Sequence, residues 1–306
     1  MTIRFACAAA IAAGLAVPAM TAEASVLTSW NLVVLGDLQN ESQDIEGNAF
    51  VGRDFIGGSP TVAKNLDAGA FSGITTLAVG RNVSVGNINM QAGNLRYAGS
   101  FSGNFNANGG GNRAQDASIA GWASAFEVEL TGASDFYRSL TPNSSVQLPQ
   151  NGQPGPVNYI ATPSGPDNVA VFNVSAADVF NSSLIQQIEL SLGGASAIVI
   201  NVSGTNVNIA NGNMVSPWNG ALARSKTIWN FYEATTINVD RIFSGAILAP
   251  LAHLTNTTEI NGSVFVRSMR QRGEVHLPVF DGFIPAPGSA AVFGIAGLLA
   301  ARRRRA

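Results

Sequence analysis

The chain has 306 residues, with 17 Lys plus Arg against 19 Asp plus Glu and a formal net charge of −2. Only 12% of the side chains are charged and no basic stripe runs along the chain ahead of its last few residues, which excludes nucleic acid as the expected partner. The single cysteine, Cys7, leaves everything after it without disulfides, Cys-bound zinc or a Cys nucleophile.

The N-terminus reads as an export signal. Arg4 supplies a basic start, Phe5 to Ala16 an apolar stretch, and Ala22-Glu23-Ala24 the small-x-small form that signal peptidase accepts, so cleavage is expected between Ala24 and Ser25. Setting aside Arg4, Glu23 and Arg302 to Arg305 leaves 12 basic and 18 acidic side chains, net −6. Low charge with abundant Gly, Asn, Ser, Thr and Val is a profile of exported β-proteins.

Short strands are expected from Trp30 onward: Trp30 to Leu38, Ile45 to Phe55, then Thr75–Val79, Val83–Val85, Asn87–Met90, Leu95–Tyr97 and Gly99–Phe105. Val51-Gly52-Arg53-Asp54-Phe55 is echoed by Val79-Gly80-Arg81-Asn82-Val83, a degenerate repeat with the texture of a β-solenoid. Gly109-Gly110-Gly111 reads as a hinge, since no Lys-Ser/Thr follows to make it a phosphate loop.

A helical insertion is expected over about 114–190. Ile119, Trp122, Ala123, Phe126 and Leu130 fall at helical spacing, with a boundary near Thr131-Gly132. Pro142 to Pro166 reads as loop, and Ser175 caps a second helix burying Phe180, Leu184, Ile185, Ile188 and Leu190. Strands then return: Ala197 to Gly204, Asn206 to Ala210, Thr227 to Phe231, Thr236 to Asn238, Gly245 to Pro250 and Ile260 to Arg267. The last matches the segment from Ile45 to Val51 as I-x-G-x-x-F-V, so both ends of the chain are expected in one solenoid, with Gly47 and Gly262 at its bends.

The chain closes with Pro285-Ala286-Pro287, an apolar run from Gly288 to Ala301 carrying Val292, Phe293, Ile295, Leu298 and Leu299, and a basic stop of Arg302, Arg303, Arg304 and Arg305. The run has 14 residues against the roughly 20 of a full bilayer span, which suits a short anchor or transient sorting signal. The three-part order resembles the PEP-CTERM signal of bacteria that use an exosortase, with Ala286 where that family's motif has Glu. The segments Asn31 to Leu38, Asp44 to Gly47, Ile200 to Gly204, Ile228 to Phe231, Ala246 to Pro250, and Asn261 to Val264 with Gly273 to His276 resemble the choice-of-anchor A domain. The Ile247 to Pro250 and Asn261 to Ser263 pair is also similar to ice-binding-like adhesive domains. These resemblances imply a mainly β protein with inserted helices, a parallel β-solenoid with a helix packed alongside. They also imply a surface-anchored, adhesive or matrix-associated function and an exosortase-like sorting enzyme as partner.

Chemistry-bearing motifs are few, and no enzyme activity and no cofactor are expected. Asp37, Glu41, Asp44 and Glu46, with Asn40, are weak calcium candidates whose spacing fits no EF-hand, and a solvated turn explains them as well. His253 and His276 are 23 residues apart and form no metalloprotease motif. No G-x-S-x-G occurs. Two lysines, Lys64 and Lys226, and scattered arginines argue against a β-helix polysaccharide lyase. Thr255-Asn256-Thr257 is a lone triplet where ice binding would want a ladder. Were the domain a carbohydrate-binding module for exopolysaccharide, Trp218, Trp229, Phe231 and Tyr232 would be its aromatic platform, provided Trp229 and Phe231 are exposed.

Overall fold

The computed structural model describes residues 25–282. It is mainly β. In chain order the first part carries α1 (Val26–Ser29), β1 (Leu32–Val34), β2 (Leu38–Asn40), β3 (Ala49–Val51), β4 (Phe55–Gly57), β5 (Thr61–Val62), β6 (Thr75–Val79), β7 (Val83–Met90), β8 (Asn94–Tyr97), β9 (Phe101–Ala107) and β10 (Arg113–Gln115). A 3-10 turn, Ala117–Gly121, leads into α2 (Trp122–Ser139). Then come β11 (Ser145–Gln147), β12 (Gly155–Ile160), β13 (Val169–Ser175), α3 (Ala176–Val179), β14 (Ile185–Ser191), β15 (Ala197–Ser203), β16 (Asn206–Ile209) and β17 (Asn213–Met214). The last part carries α4 (Ala221–Lys226), β18 (Thr227–Asn230), β19 (Thr236–Val239), β20 (Phe243–Ser244), β21 (Ala246–Asn256), β22 (Ile260–Asn261), β23 (Val264–Gln271) and β24 (Val275–His276).

The strands stack in parallel, rung on rung, into three walls. One wall runs β10-β8-β6-β3-β1-β23-β21-β18-β15-β13. A second runs β9-β7-β4-β2-β23-β21-β19-β16, the long strands β21 and β23 bending from one wall into the other. The third collects β12, β14 and β17, then β20, β22 and β24, and continues through bridges from Val275 to Ile45 and Ile45 to Val62. The chain therefore stacks outward from β1 to β10, α2 runs alongside, and the later strands stack back until β23 lies against β1. Leu32, Val33 and Val34 pair with Val264, Phe265 and Val266 on one side and with Ala49, Phe50 and Val51 on the other. The two matching segments read from the sequence thus flank β1, and the Val51–Phe55 and Val79–Val83 echoes lie on adjacent rungs in register.

Packing explains the hydrophobic pattern. In the middle of the first wall, strands such as β1, β3 and β15 are buried on both sides, inward by the core and outward by α2, so they read as unbroken apolar runs. In the second wall only the inward side is buried, and Asn206-Val207-Asn208-Ile209 alternates. Phe50 meets Phe126 at 4.7 Å and Trp122 at 6.3 Å between ring centroids, while Ile119 and Leu130 are buried beneath the helix. Gly52 and Gly80 allow successive rungs to touch: a Cβ at either would sit 2.1–2.2 Å from the carbonyl oxygen of Leu35 or Gly52.

Several expectations need correction. The helical insertion ends at Ser139 and does not reach 190. The helix passes through Thr131-Gly132 without a break, because Gly132 lies on an open side where a Cβ would meet no atom within 4 Å. The expected loop from Pro142 to Pro166 holds β11 and β12, paired antiparallel. The expected second helix is a single turn, α3, after which Ile185, Ile188 and Leu190 enter β14 as buried residues. Parallel pairing with β12 and β17 outweighs the cap at Ser175, which holds that one turn only. The three glycines are no hinge either: Cβ atoms at Gly109 and Gly111 would lie 2.0 and 1.8 Å from backbone oxygens of the preceding rung.

Candidate functional site

The second wall is a long face that α2 does not cover. Register places Ser102, Ser84, Ile56, Gln39, Arg270, Thr255, Asn238 and Asn208 in one row. At about 4.8 Å per rung the row is roughly 34 Å long. Beside it, charges are held in pairs. Arg81 grips Asp54 with two nitrogens, Nε at 2.6 Å, and lies 3.9 Å from Asp37, which also faces Arg53 at 3.6 Å. Glu41 receives Arg270 at 2.6 Å and Arg272 at 3.2 Å. The Arg81 guanidinium holds the Asp54 carboxyl below its ordinary range, helped by the Asn82 backbone, and Arg270 does the same for Glu41.

The four acidic candidates are not gathered as a ligand set. Asp37 and Glu41 take the arginines just named, Asp44 pairs with Lys64, and Glu46 accepts the Leu277 N–H at 2.8 Å. Among the described residues no three His, Cys, Asp or Glu side chains stand together as a metal cluster. The Lys64 ammonium is held above its ordinary value by Asp44. His276 lies on the third wall, Nε2 2.7 Å from Glu274 and Nδ1 3.2 Å from Asn261, and His253 lies on the second wall, 2.8 Å from Ser268. Thr255 stands between Asn238 and Arg270, so the lone threonine triplet is not extended by its neighbours.

The aromatic platform does not form. Trp218, Trp229 and Phe231 are fully buried in a cluster with Tyr159, Phe172, Phe180 and Phe243: β18 points Trp229 inward, Phe231 follows it, and the turn after β17 folds Trp218 onto them. Only Tyr232 reaches the surface. Its ring lies under the Arg138 guanidinium at 4.5 Å, at a groove of about 480 Å³ lined also by Leu148, Asn173, Ser175 and Asp178. Arg138 joins no ion pair among the described residues.

A buried amide ladder escaped the sequence reading. Asn230 Nδ2 donates to Asn201 Oδ1 at 2.9 Å and to Ser134 O at 2.8 Å; Asn201 Nδ2 donates to Tyr137 O at 2.8 Å and Asn173 Oδ1 at 3.1 Å. These side chains fasten α2 to the first wall. The signal was present as Phe172-Asn173-Val174, Ile200-Asn201-Val202 and Trp229-Asn230-Phe231, an amide between apolar neighbours on three successive rungs. Ser25 starts the described chain and caps α1; its hydroxyl and the Val26 N–H both donate to Glu129 on α2 at 2.7 Å. Ala22, Ala24, Pro285 to Pro287, the anchor run and the four arginines lie outside the described residues.

The family model of the Ice-binding-like adhesive domain matches residues 23–277. The chain belongs to this family. The match takes in every strand of the adhesive domain, from β1 to β24. Among solved structures the domain is similar to an ice-binding protein from the Antarctic ascomycete Antarctomyces psychrotrophicus, at 12% identity over 82% of this chain and 96% of that one, TM-score 0.35. It is similar to a glycosylated ice-binding protein from an Arctic yeast, at 12% identity over 86% and 95%, TM-score 0.32. A domain of Shewanella frigidimarina ice-binding protein 1 gives 12% identity over 82% and 94%, TM-score 0.36. A search of curated proteins returns no match.

Proposed function

We propose that the chain is an exported, non-enzymatic adhesive or extracellular-matrix protein of the choice-of-anchor A type, held at the cell surface by its C-terminal segment. The observation that carries this reading is the extent of the family match, residues 23–277, which fills the interval between the expected signal-peptide cleavage after Ala24 and the tail beginning at Ile284. The three-walled stack is read as a β-solenoid, a stiff body that displays long faces for weak, repeated contacts. Ice is not the favoured ligand, because Arg270, Gln39 and Ile56 interrupt the row where a threonine ladder would be needed. In this reading signal peptidase releases Ser25 and an exosortase-like enzyme acts near Pro285-Ala286-Pro287, with Arg302 to Arg305 retaining the precursor. Replacing those four arginines by Gln is expected to alter processing or retention, read as the mass and membrane fractionation of the product. Unchanged mass and fractionation would reject the sorting role.

A carbohydrate-binding role is favoured at one place only, the groove at Tyr232. A half-buried ring under a guanidinium, with Asn173, Ser175 and Asp178 around it, has the donors and acceptors to hold a sugar of the cell's own exopolysaccharide. A glycan array on the Ser25–Gly282 body is expected to give signals that Tyr232→Ala abolishes. Signals untouched by that change would remove the groove from consideration.

A further inference from the structure

The two ends of the stack are finished differently. At one end part of the outer edge of every wall is occupied. Strand β11 lies antiparallel on β12. The Asn143 and Ser144 amides donate to Val171 O at 3.1 Å, and Asn143 Oδ1 accepts the Val171 N–H at 2.8 Å, closing β13. Asn181 does the same for β16, donating to Asn206 O at 2.9 Å and accepting the Asn208 N–H at 2.8 Å.

At the other end β9 is hydrogen-bonded to β7 alone. Apart from the turn bond from the Gly110 N–H to Ala107 O, no backbone bond among the described residues reaches it from outside. Its sequence, Phe-Ser-Gly-Asn-Phe-Asn-Ala, has no charge and no proline, the usual protections of an edge strand. Two amide ladders also end there. Asn104 donates to Asn87 at 3.0 Å and Asn106 to Asn89 at 2.8 Å, while the Oδ1 atoms of Asn104 and Asn106 accept no hydrogen bond among the described residues. An open strand edge that carries a row of side-chain amides, exposed to water in the single chain, fits another strand bearing side-chain amides.

We infer that the arm Asn104–Ala107 of β9 is a docking strand for the same arm of a second copy of this chain. Because the opposite end is closed along β12, at Val171 of β13 and at Asn206 and Asn208 of β16, head-to-tail growth has no continuous acceptor edge. The contact left available is isologous, open end to open end, and a two-fold axis makes the strands antiparallel. The pairing extends the proposed function without depending on it. Only its consequence for adhesion does: Gly282 packs against Ala197 near the capped end, roughly 30 Å of rungs from β9, so a copy held by its tail would present the open end outward. Many such contacts across a surface would add through avidity.

The experiment is sedimentation equilibrium of the Ser25–Gly282 body, which contains every described strand and helix, beside the full chain in detergent. A concentration-dependent dimer is expected in both. Asn104→Lys/Asn106→Lys, which sets like charges across the two-fold, is expected to weaken it at least tenfold. Asn206→Lys/Asn208→Lys, the same change at the capped end, is expected to leave it unchanged. Far-ultraviolet dichroism and the thermal midpoint would show that both variants fold. A strictly monomeric body, equal weakening by the two variants, or a dimer of the body that is absent from the full chain would each overturn the inference; the last would mean that a terminal segment of the chain itself occupies the edge. In a Cys7→Ser background, of single cysteines scanned over Asn104, Phe105 and Asn106, the one that meets its own copy at the two-fold is expected to give disulfide-linked full-chain dimers on mild oxidation, and one at Ser102 or Asn206 is not. A sorting defect would not change any of these results, so failure of the surface-held reading remains distinguishable.

Discussion

The first and second walls are made from neighbouring segments of the same rungs, yet they follow different rules. Under α2 the outward side chains are Val33, Phe50, Ala78, Val199, Ile228 and Phe265, all buried. One bend further along, the outward side chains are Gln39, Ser84, Asn208 and Arg270. The inward side chains of both walls are alike. Covering by one 18-residue helix therefore separates a wall that serves stability from a wall free to serve contact. Polar rows cost little on the open wall because water completes their hydrogen bonds, whereas on the covered wall the polar groups that remain must find protein partners.

The largest effects should fall on the covered wall. Phe50→Ala removes the ring that meets Phe126 and Trp122, and a loss of about 3–5 kcal/mol is expected from urea unfolding. Asn238→Ala on the open wall should change stability by no more than about 0.5 kcal/mol. Comparable losses at the two sites would mean that α2 is not what distinguishes the walls. Next in size is Asn230→Ala. It leaves Asn201 Oδ1 and Ser134 Oγ without their partner in a buried setting, so a loss of about 1–3 kcal/mol is expected. Faster hydrogen exchange along α2 in that variant would show that the ladder fastens the helix.

Much of this division was legible in the order of residues. Runs such as Leu32-Val33-Val34 announced strands, and Ile119, Trp122, Phe126 and Leu130 announced a helix; that the helix covers those strands came from the structure. The Val51–Phe55 echo gave the rung repeat, because Gly52 and Gly80 are required wherever two rungs touch. Other features depended on long-range pairing, which local pattern does not encode. Ile185 to Leu190 carries apolar residues that suit a helix or a strand, and only β12 and β17 decide between them. The same limit applied to the site. Trp229 and Phe231, two apart in an extended segment, fall on one side, but whether that side is core or solvent depends on the wall to which β18 belongs. Arg138, which completes the groove with Tyr232, lies 94 positions earlier in the chain.

The smallest expected effects are those of pH, and they separate the walls by sign. On the open wall Asp54 and Glu41 have lowered values because arginines stabilise their charged forms. A carboxyl with a lowered folded value contributes stability above its unfolded value, near 3.8 for Asp and 4.5 for Glu, and loses it as the pH falls through the folded value. Stability should therefore decline on the acid side, and Arg81→Gln should flatten part of that decline. Both pairs are solvent-exposed, so added salt should shrink the effect. On the helix side the group that shifts is Tyr137, whose phenol is pushed up by burial, with Glu129 adding to the effect. Its neutral form is the one the fold prefers, so its contribution is complete below the ordinary value of 10.0 and fades as the pH rises beyond it. Tyr137→Phe should remove part of the alkaline decline without touching the acid limb, and Arg81→Gln should do the reverse. Urea midpoints measured across the pH range for the two variants test this directly. If either variant moved both limbs, titration on one wall would be coupled to the other, and the separation drawn from burial would be wrong.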